Sequence, residues 1–208
     1  MDDHRKVALI DDDHAILDSL QLTLVRRGFE VACFASAKDF IAGMDAGLRP
    51  DCVVTDVRMP GMTGLALQRS LATKRPTLPL ILITGHGDID MAVAAIKAGA
   101  FDFIEKPIDD RRLATSINKA IESYRATQAD EEDIAALGER YKSLSERQQQ
   151  VVALATEGSS NKEIALQLGI SPRTVEHYRE SAMDRMQAAS LAELVQMAVR
   201  LKLLPRVK

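Results

Sequence analysis

Six side chains of kinds that hold or move phosphate stand at the ends of apolar runs in the first half of this chain. Asp11, Asp12 and Asp13 follow VALI, Asp56 closes CVVTD, Thr84 closes LILIT, and Lys106 follows DFIE. If these runs are strands of one parallel sheet, four strand ends deliver polar groups to a single edge. Carboxylates gathered there repel one another unless a cation sits among them, and oxygen ligands at a shallow, solvent-exposed edge favour Mg²⁺. A carboxylate beside such a metal can act as a nucleophile towards phosphorus. The metal and the Lys106 ammonium would stabilise charge on the equatorial oxygens during in-line transfer, and Thr84 could donate its hydroxyl to the new phosphoryl group. Each residue also has a plainer reading. An Asp at a strand end often caps the next helix, and a Lys before a Pro is often a surface charge. The convergence of four strand ends is what favours chemistry.

The elements needed to position these groups are legible. Apolar, β-rich runs at 7–10, 30–34, 52–55, 80–84 and 102–105 alternate with helix-period segments at 15–27, 37–46, 64–73, 89–98 and 111–124. Five repeats of strand then helix imply a doubly wound, five-stranded parallel sheet with helices on both faces. Ligands of such sheets lie beyond the C-terminal strand ends, at the topological switch point.

The 208 residues suffice for two domains, and an apolar content of 46% can fill their cores. The longest apolar runs are strand-sized and do not approach a membrane span. Asp2, Asp3 and His4 precede any apolar stretch, which is unlike a signal peptide. Cys33 and Cys52 sit singly in apolar stretches without metal spacing, the pattern of reduced core residues in a cytoplasmic protein. Charge is uneven along the chain. Residues 1–123 carry 15 Lys and Arg against 18 Asp and Glu, whereas residues 142–208 carry 10 against 7. A basic C-terminal part suggests an anionic partner for that end.

Between the two parts, residues 113–144 hold no Pro, and Gly138 is their one Gly. Apolar residues recur at roughly helical spacing, interrupted by DEED at 130–133, so 124–141 is expected to be an extended, at least partly helical linker. From 142 onward the pattern is helical, with breaks at 158–160, 169–171 and 188–190. Ser145 opens a capping box with Gln148. Asn161 is expected to cap the next helix and Gly169 to end it. Ser171 caps the one after, with Pro172 at its first position. The short LGIS turn suits a helix-turn-helix. The helix after it would expose Arg173, Thr174, Glu176, His177, Arg179 and Glu180, and turn Val175, Ala182, Met183 and Met186 inward.

IDDD at 10–13, DVRMPGMTG at 56–64, ITGHGD at 83–88 and KAGAFDFIEKP at 97–107 resemble the response-regulator receiver domain over residues 5–123. The resemblance implies a CheY-like fold with flavodoxin-like strand order and phosphorylation of Asp56 by a sensor histidine kinase. It implies Mg²⁺ held by Asp12, Asp56 and the main-chain carbonyl of Arg58, with Asp11 acting through water. Thr84 and Lys106 would contact the phosphoryl group, and Phe103 would take the aromatic switch position. Asp13 stands where the family varies. Pro107 is expected to follow a cis bond, and Arg58 and His86 to tune hydrolysis of the phosphoryl group.

LSER, NKEIA and ISPRTVE, within residues 142–208, resemble the LuxR/NarL-type DNA-binding domain, an all-α four-helix unit. The pairing resembles that of the two-component response regulators of the FixJ/NarL family and is similar to FixJ. His177 followed by Tyr178 departs from the family, which commonly places His one residue later. Base preference is therefore expected to differ. By resemblance, the helix after Ser171 enters the major groove of double-stranded DNA. Glu176, His177 and Glu180 would read bases, while Lys162, Arg173 and Arg179 would touch phosphates. The last helix, 191–201, is expected to pair with that of a second chain, and RNA polymerase is an expected further partner. Phosphorylation would promote a receiver homodimer through Lys97, Ala100 and Asp102. Two other classes compete. A haloacid-dehalogenase-type phosphatase needs a second acid two residues after the nucleophile, where Arg58 stands. A protein-binding adaptor would lack the steep salt dependence of a DNA binder.

Overall fold

The computed structural model describes residues 5–85 and 89–203, and His86 lies outside them. It divides into two compact units, residues 1–128 and 129–208. In the first, β1 (Arg5–Ile10), β2 (Phe29–Phe34), β3 (Cys52–Asp56), β4 (Leu80–Thr84) and β5 (Asp102–Glu105) alternate with α1 (His14–Arg26), α2 (Ala37–Asp45), α3 (Gly64–Lys74) and α4 (Ile89–Lys97); α5 (Asp110–Lys142) follows β5. All pairings are parallel, as the alternation of elements implies, and the strand order is β2-β1-β3-β4-β5, the flavodoxin-like order that the receiver resemblance implies.

The two-residue period of the strands builds two cores. Val7, Leu9, Val54, Ile81 and Ile83 face α1 and α5, where they meet Leu17, Leu20, Leu24, Leu113 and Ile117. Ala8, Ile10, Val53, Leu80 and Leu82 face the other way, onto Phe40, Leu67, Leu71 and Ala95. Leu82 and Ile83 are 0% and 2% exposed, and each such side chain stabilises the fold by about 1.5–3 kcal/mol. Both cysteines are free, and Cys52 is fully buried.

In the second unit, α6 (Glu146–Thr156), α7 (Asn161–Leu168), α8 (Pro172–Met186) and α9 (Leu191–Arg200) follow α5. The Ser145–Gln148 capping box is present, Gly169 ends α7 in the left-handed region at φ 66°, and Ser171 caps α8 with Pro172 in the first turn. Asn161 is not the cap of α7. Ser160 is, because its hydroxyl accepts from Glu163 N while the Glu163 carboxylate accepts from Ser160 N, and Asn161 begins the helix proper. Val175, Ala182 and Met186 are buried, and Met183 packs against the same core. The helix α5 runs unbroken through the acidic stretch at 130–133, and the boundary between the units falls inside it. Leu137 and Leu144, 6% and 4% exposed, belong to the core of the second unit with Leu194 and Met186. Among the described residues no helix is long and apolar enough to cross a membrane.

Candidate functional site

Each polar residue at the sheet edge is the first to follow, or the last to end, a buried strand. In parallel register β3 places Asp56 opposite Ile83, and β4 places Thr84 opposite Glu105, so Asp56, Thr84 and Lys106 lie on adjacent strand ends. Lys106 N donates to Thr84 O at 2.7 Å, which seats the chain just beyond β5. The Lys106–Pro107 bond is cis.

Lys106 Nζ stands 2.7 Å from Asp56 Oδ1 and 3.0 Å from Asp11 Oδ2. One ammonium thus bridges carboxylates from two strands. Their other oxygens are also engaged: Asp11 Oδ1 accepts from Asp13 N at 2.9 Å and Asp56 Oδ2 accepts from Arg58 N. Asp11 and Asp56 are 4% and 7% exposed, and Thr84 is 1% exposed. Burial pushes the Asp11 carboxyl above its usual value, against the Asp13 and Lys106 hydrogen bonds that pull it down. Burial alone would lower the Lys106 ammonium, but the hydrogen bonds it donates to Asp56 and Asp11, with their negative charge, outweigh it and hold the group above its usual value. Two acids against one base leave the centre a charge of −1, so it attracts a cation.

Asp12 is exposed at the rim, as is Arg58. Asp13 caps α1 by accepting from Ala15 N at 2.9 Å, which accounts for it structurally. Among the described residues no three His, Cys, Asp or Glu side chains converge closely enough to hold a metal. A cation here would be bound by one or two carboxylates, with main-chain carbonyl and water oxygens completing its shell. Mg²⁺ is commonly held in that way. Phe103 is half-buried against the α2–α4 core. Of the residues expected at a receiver dimer face, Lys97 is exposed, whereas Ala100 is 7% exposed within that same core. Asp102 is occupied inside the chain by Ser116 Oγ at 2.7 Å and Phe103 N at 2.8 Å. The exposed apolar groups nearby are Val93, Ile96 and Phe101. The helical spacing of Val93 and Ile96 was the available signal for them.

Gly64 was also missed as a site residue, although it closes the DVRMPGMTG stretch. A Cβ there would overlap the main-chain oxygen of Asp56. Only glycine lets α3 begin so close beneath the acid.

In the second unit, Lys162, Arg173, Glu176, His177 and Glu180 line one cleft of about 680 Å³ with Asn161 and Pro172. The N-terminal turns of α7 and α8 both contribute to this cleft, and the helix dipoles favour negative charge at that end. Two expected residues stand apart. Thr174 is half-buried, its hydroxyl 2.7 Å from Ser171 Oγ. Arg179 is half-buried and donates to Asn161 Oδ1 at 3.3 Å, tying α8 to the first residue of α7.

An α/β sheet with two acids and a lysine at its switch point, followed by a helix-turn-helix whose cleft holds Lys162 and Arg173 beside Glu176 and Glu180, defines a receiver joined to a DNA-binding reader. Residues 7–118 match the response regulator receiver domain, and residues 142–198 match the bacterial regulatory proteins of the luxR family. The chain belongs to the transcriptional response regulators of this two-domain kind. It is 45% identical to the transcriptional regulatory protein FixJ of Bradyrhizobium diazoefficiens, covering 93% of this chain and 94% of that one. It is 41% identical to the response regulator protein TmoT of Ectopseudomonas mendocina, covering 97% and 91%. The low-resolution structure of the response regulator StyR superposes with a TM-score of 0.83 at 36% identity, covering 94% of this chain and 98% of that one. Receivers generally bind Mg²⁺ at the acidic phosphorylation site and take their phosphoryl group from a sensor kinase.

Proposed function

We propose that Asp56 accepts a phosphoryl group from the histidine of a sensor kinase, and that this acceptance drives homodimerisation and paired DNA binding in the cytoplasm. A carboxylate oxygen of Asp56 attacks phosphorus in line; the P–N bond of the phosphohistidine breaks and the imidazole leaves with the electron pair. Lys106 follows the charge from the Asp56 carboxylate to a phosphoryl oxygen, and the Thr84 hydroxyl donates to another. Bound Mg²⁺, held by Asp12, Asp56 and the Arg58 carbonyl with Asp11 through water, would neutralise charge on the phosphoryl group. A small donor such as acetyl phosphate serves the same pocket, and water later hydrolyses the acyl phosphate. The observation that supports this reading is the single ammonium of Lys106 bridging Asp11 and Asp56 at the C-terminal sheet edge.

Movement of Thr84 towards the phosphoryl group frees space that Phe103 fills, and the exposed face of α4 and β5 changes with it. Lys97 with Val93, Ile96 and Phe101 then forms the receiver contact, beside Ala100 and Asp102. Two receivers hold two readers at high effective concentration over paired half-sites. Lys162, Arg173 and Arg179 meet phosphates. Glu176, His177 and Glu180 read base edges, with Thr174 at the head of the helix. α9 pairs with its copy in the second chain, and the assembled dimer contacts RNA polymerase.

Intact mass after incubation with acetyl phosphate and Mg²⁺ tests the first step. Wild type should gain one phosphoryl group, and Asp56→Asn or added EDTA should abolish the gain. An equal adduct on Asp56→Asn would move the nucleophile elsewhere.

A further inference from the structure

The last helix of the reader is held on two sides. Leu194 and Ala198 of α9 are buried in the core of the unit. Met197 and Leu201 pack into the same cluster as Leu137, Tyr141 and Leu144. Arg200, the last residue of α9, ion-pairs Asp130 at 2.7 Å and Asp133 at 3.8 Å. The groups on α5 are spaced 130, 133, 137 and 141, which is one stripe of a helix, and Leu144 follows just beyond its end. Two acids thus continue the line of apolar side chains that faces the reader, and both pair with one base, Arg200. A cleft of about 260 Å³ separates the helices beside Arg140, Glu193, Gln196 and Met197. The side of α9 left uncovered carries Ala192 and Val199, the latter 57% exposed, beside a half-buried Val195.

We propose that residues 129–142 are a fifth helix of the DNA-reading unit, and that Asp130, Asp133 and Arg200 form a latch that positions α9 for pairing with a second copy of this chain. The proposal rests on the paired-reader function above. α5 covers the edge of α9 that carries Met197 and Arg200 and leaves Ala192 and Val199 exposed, so the contact orients α9 rather than blocking it. Arg200 is a positioning residue, acting through α9 and not on DNA. Its pairs are partly exposed, so the latch is expected to weaken with salt.

The test uses the full chain with acetyl phosphate and Mg²⁺, and a duplex selected by wild type from random DNA, whole and trimmed to one half-site. Arg200→Glu should speed amide hydrogen exchange in α9. It should lower the paired-to-single affinity ratio roughly two- to fivefold, the scale of a partly exposed ion-pair network. Affinity for the single half-site should stay unchanged, which separates loss of position from loss of fold. Combining Arg200→Glu with Asp130→Lys and Asp133→Lys should restore both readouts. Unchanged α9 exchange in Arg200→Glu, a raised affinity ratio, or failure of the charge swap to rescue would overturn the latch. A wild type that binds one and two half-sites alike would instead overturn the pairing beneath it, while the exchange of α9 would still decide the latch.

Discussion

Gly64 lies so near the main-chain oxygen of Asp56 that the two leave no room for a Cβ, and Leu82 Cδ2 would stand 3.0 Å from one. Gly64 N also donates to Val57 O at 3.0 Å, holding the start of α3 beneath the end of β3 and the loop that carries Arg58. Neither the backbone oxygen nor the packed Leu82 can yield cheaply. Gly64→Ala is therefore expected to destabilise the receiver by about 1–3 kcal/mol and to slow phosphoryl uptake. Thermal unfolding and the time course of the mass shift measure the two effects; an unaltered midpoint would show that α3 can retreat without cost.

Asp11 should cost the metal-free protein stability at neutral pH. Burial raises its carboxyl above the ordinary 3.8, so the folded state favours the protonated acid. That contribution to stability is complete below pH 3.8 and is lost as pH rises through the higher folded value. Asp11→Asn should accordingly raise the melting temperature at neutral pH. The gain should vanish towards pH 3.8 and shrink when Mg²⁺ is added. Melting curves across pH check this, and a variant less stable than wild type at pH 7 would contradict it.

The site was legible to the extent that strands end abruptly. Asp56, Thr84 and Lys106 each close an apolar run, and a parallel sheet brings such ends together whatever lies between. Helix starts were less certain at 159–161, where two serines and an asparagine can all cap. The reciprocal pair Ser160–Glu163 decides the matter, a three-residue spacing that was present in the sequence. The acidic stretch at 130–133 looked like an interruption because its charges break the apolar period. Glutamate is a good helix former, however, and Asp130 and Asp133 find Arg200. Ala100 and Asp102 could not be judged from sequence, since their burial and their partner Ser116 depend on tertiary packing.

Gly138 sits inside α5, where glycine weakens a helix by about 0.5–1 kcal/mol relative to alanine. A Cβ there would meet Leu201 Cδ2 at 3.9 Å, an ordinary contact. Gly138→Ala is expected to stabilise the reader unit by about that amount and to slow hydrogen exchange along residues 129–142. A loss of stability would mean that α5 is bent or spaced at this point in a way alanine cannot follow.

Arg173 and Glu180 share the cleft of α7 and α8 but should fail differently. Arg173→Ala should weaken binding to all duplexes alike and reduce the slope of log affinity against log salt by about 0.9. Glu180→Gln should leave the slope alone and change which duplexes are selected, as expected of a group at a base edge. Salt titrations and selection from random DNA distinguish the two; identical behaviour would remove Glu180 from the reading face.

In the proposed mechanism, charge added at Asp56 assembles two chains. Sedimentation velocity of wild type and Asp56→Asn, each with and without acetyl phosphate and Mg²⁺, measures this. Wild type should shift from monomer towards dimer only with donor and metal, and Asp56→Asn should stay monomeric throughout. A wild type with the same distribution in all conditions, or an Asp56→Asn that dimerises on addition of donor, would contradict it.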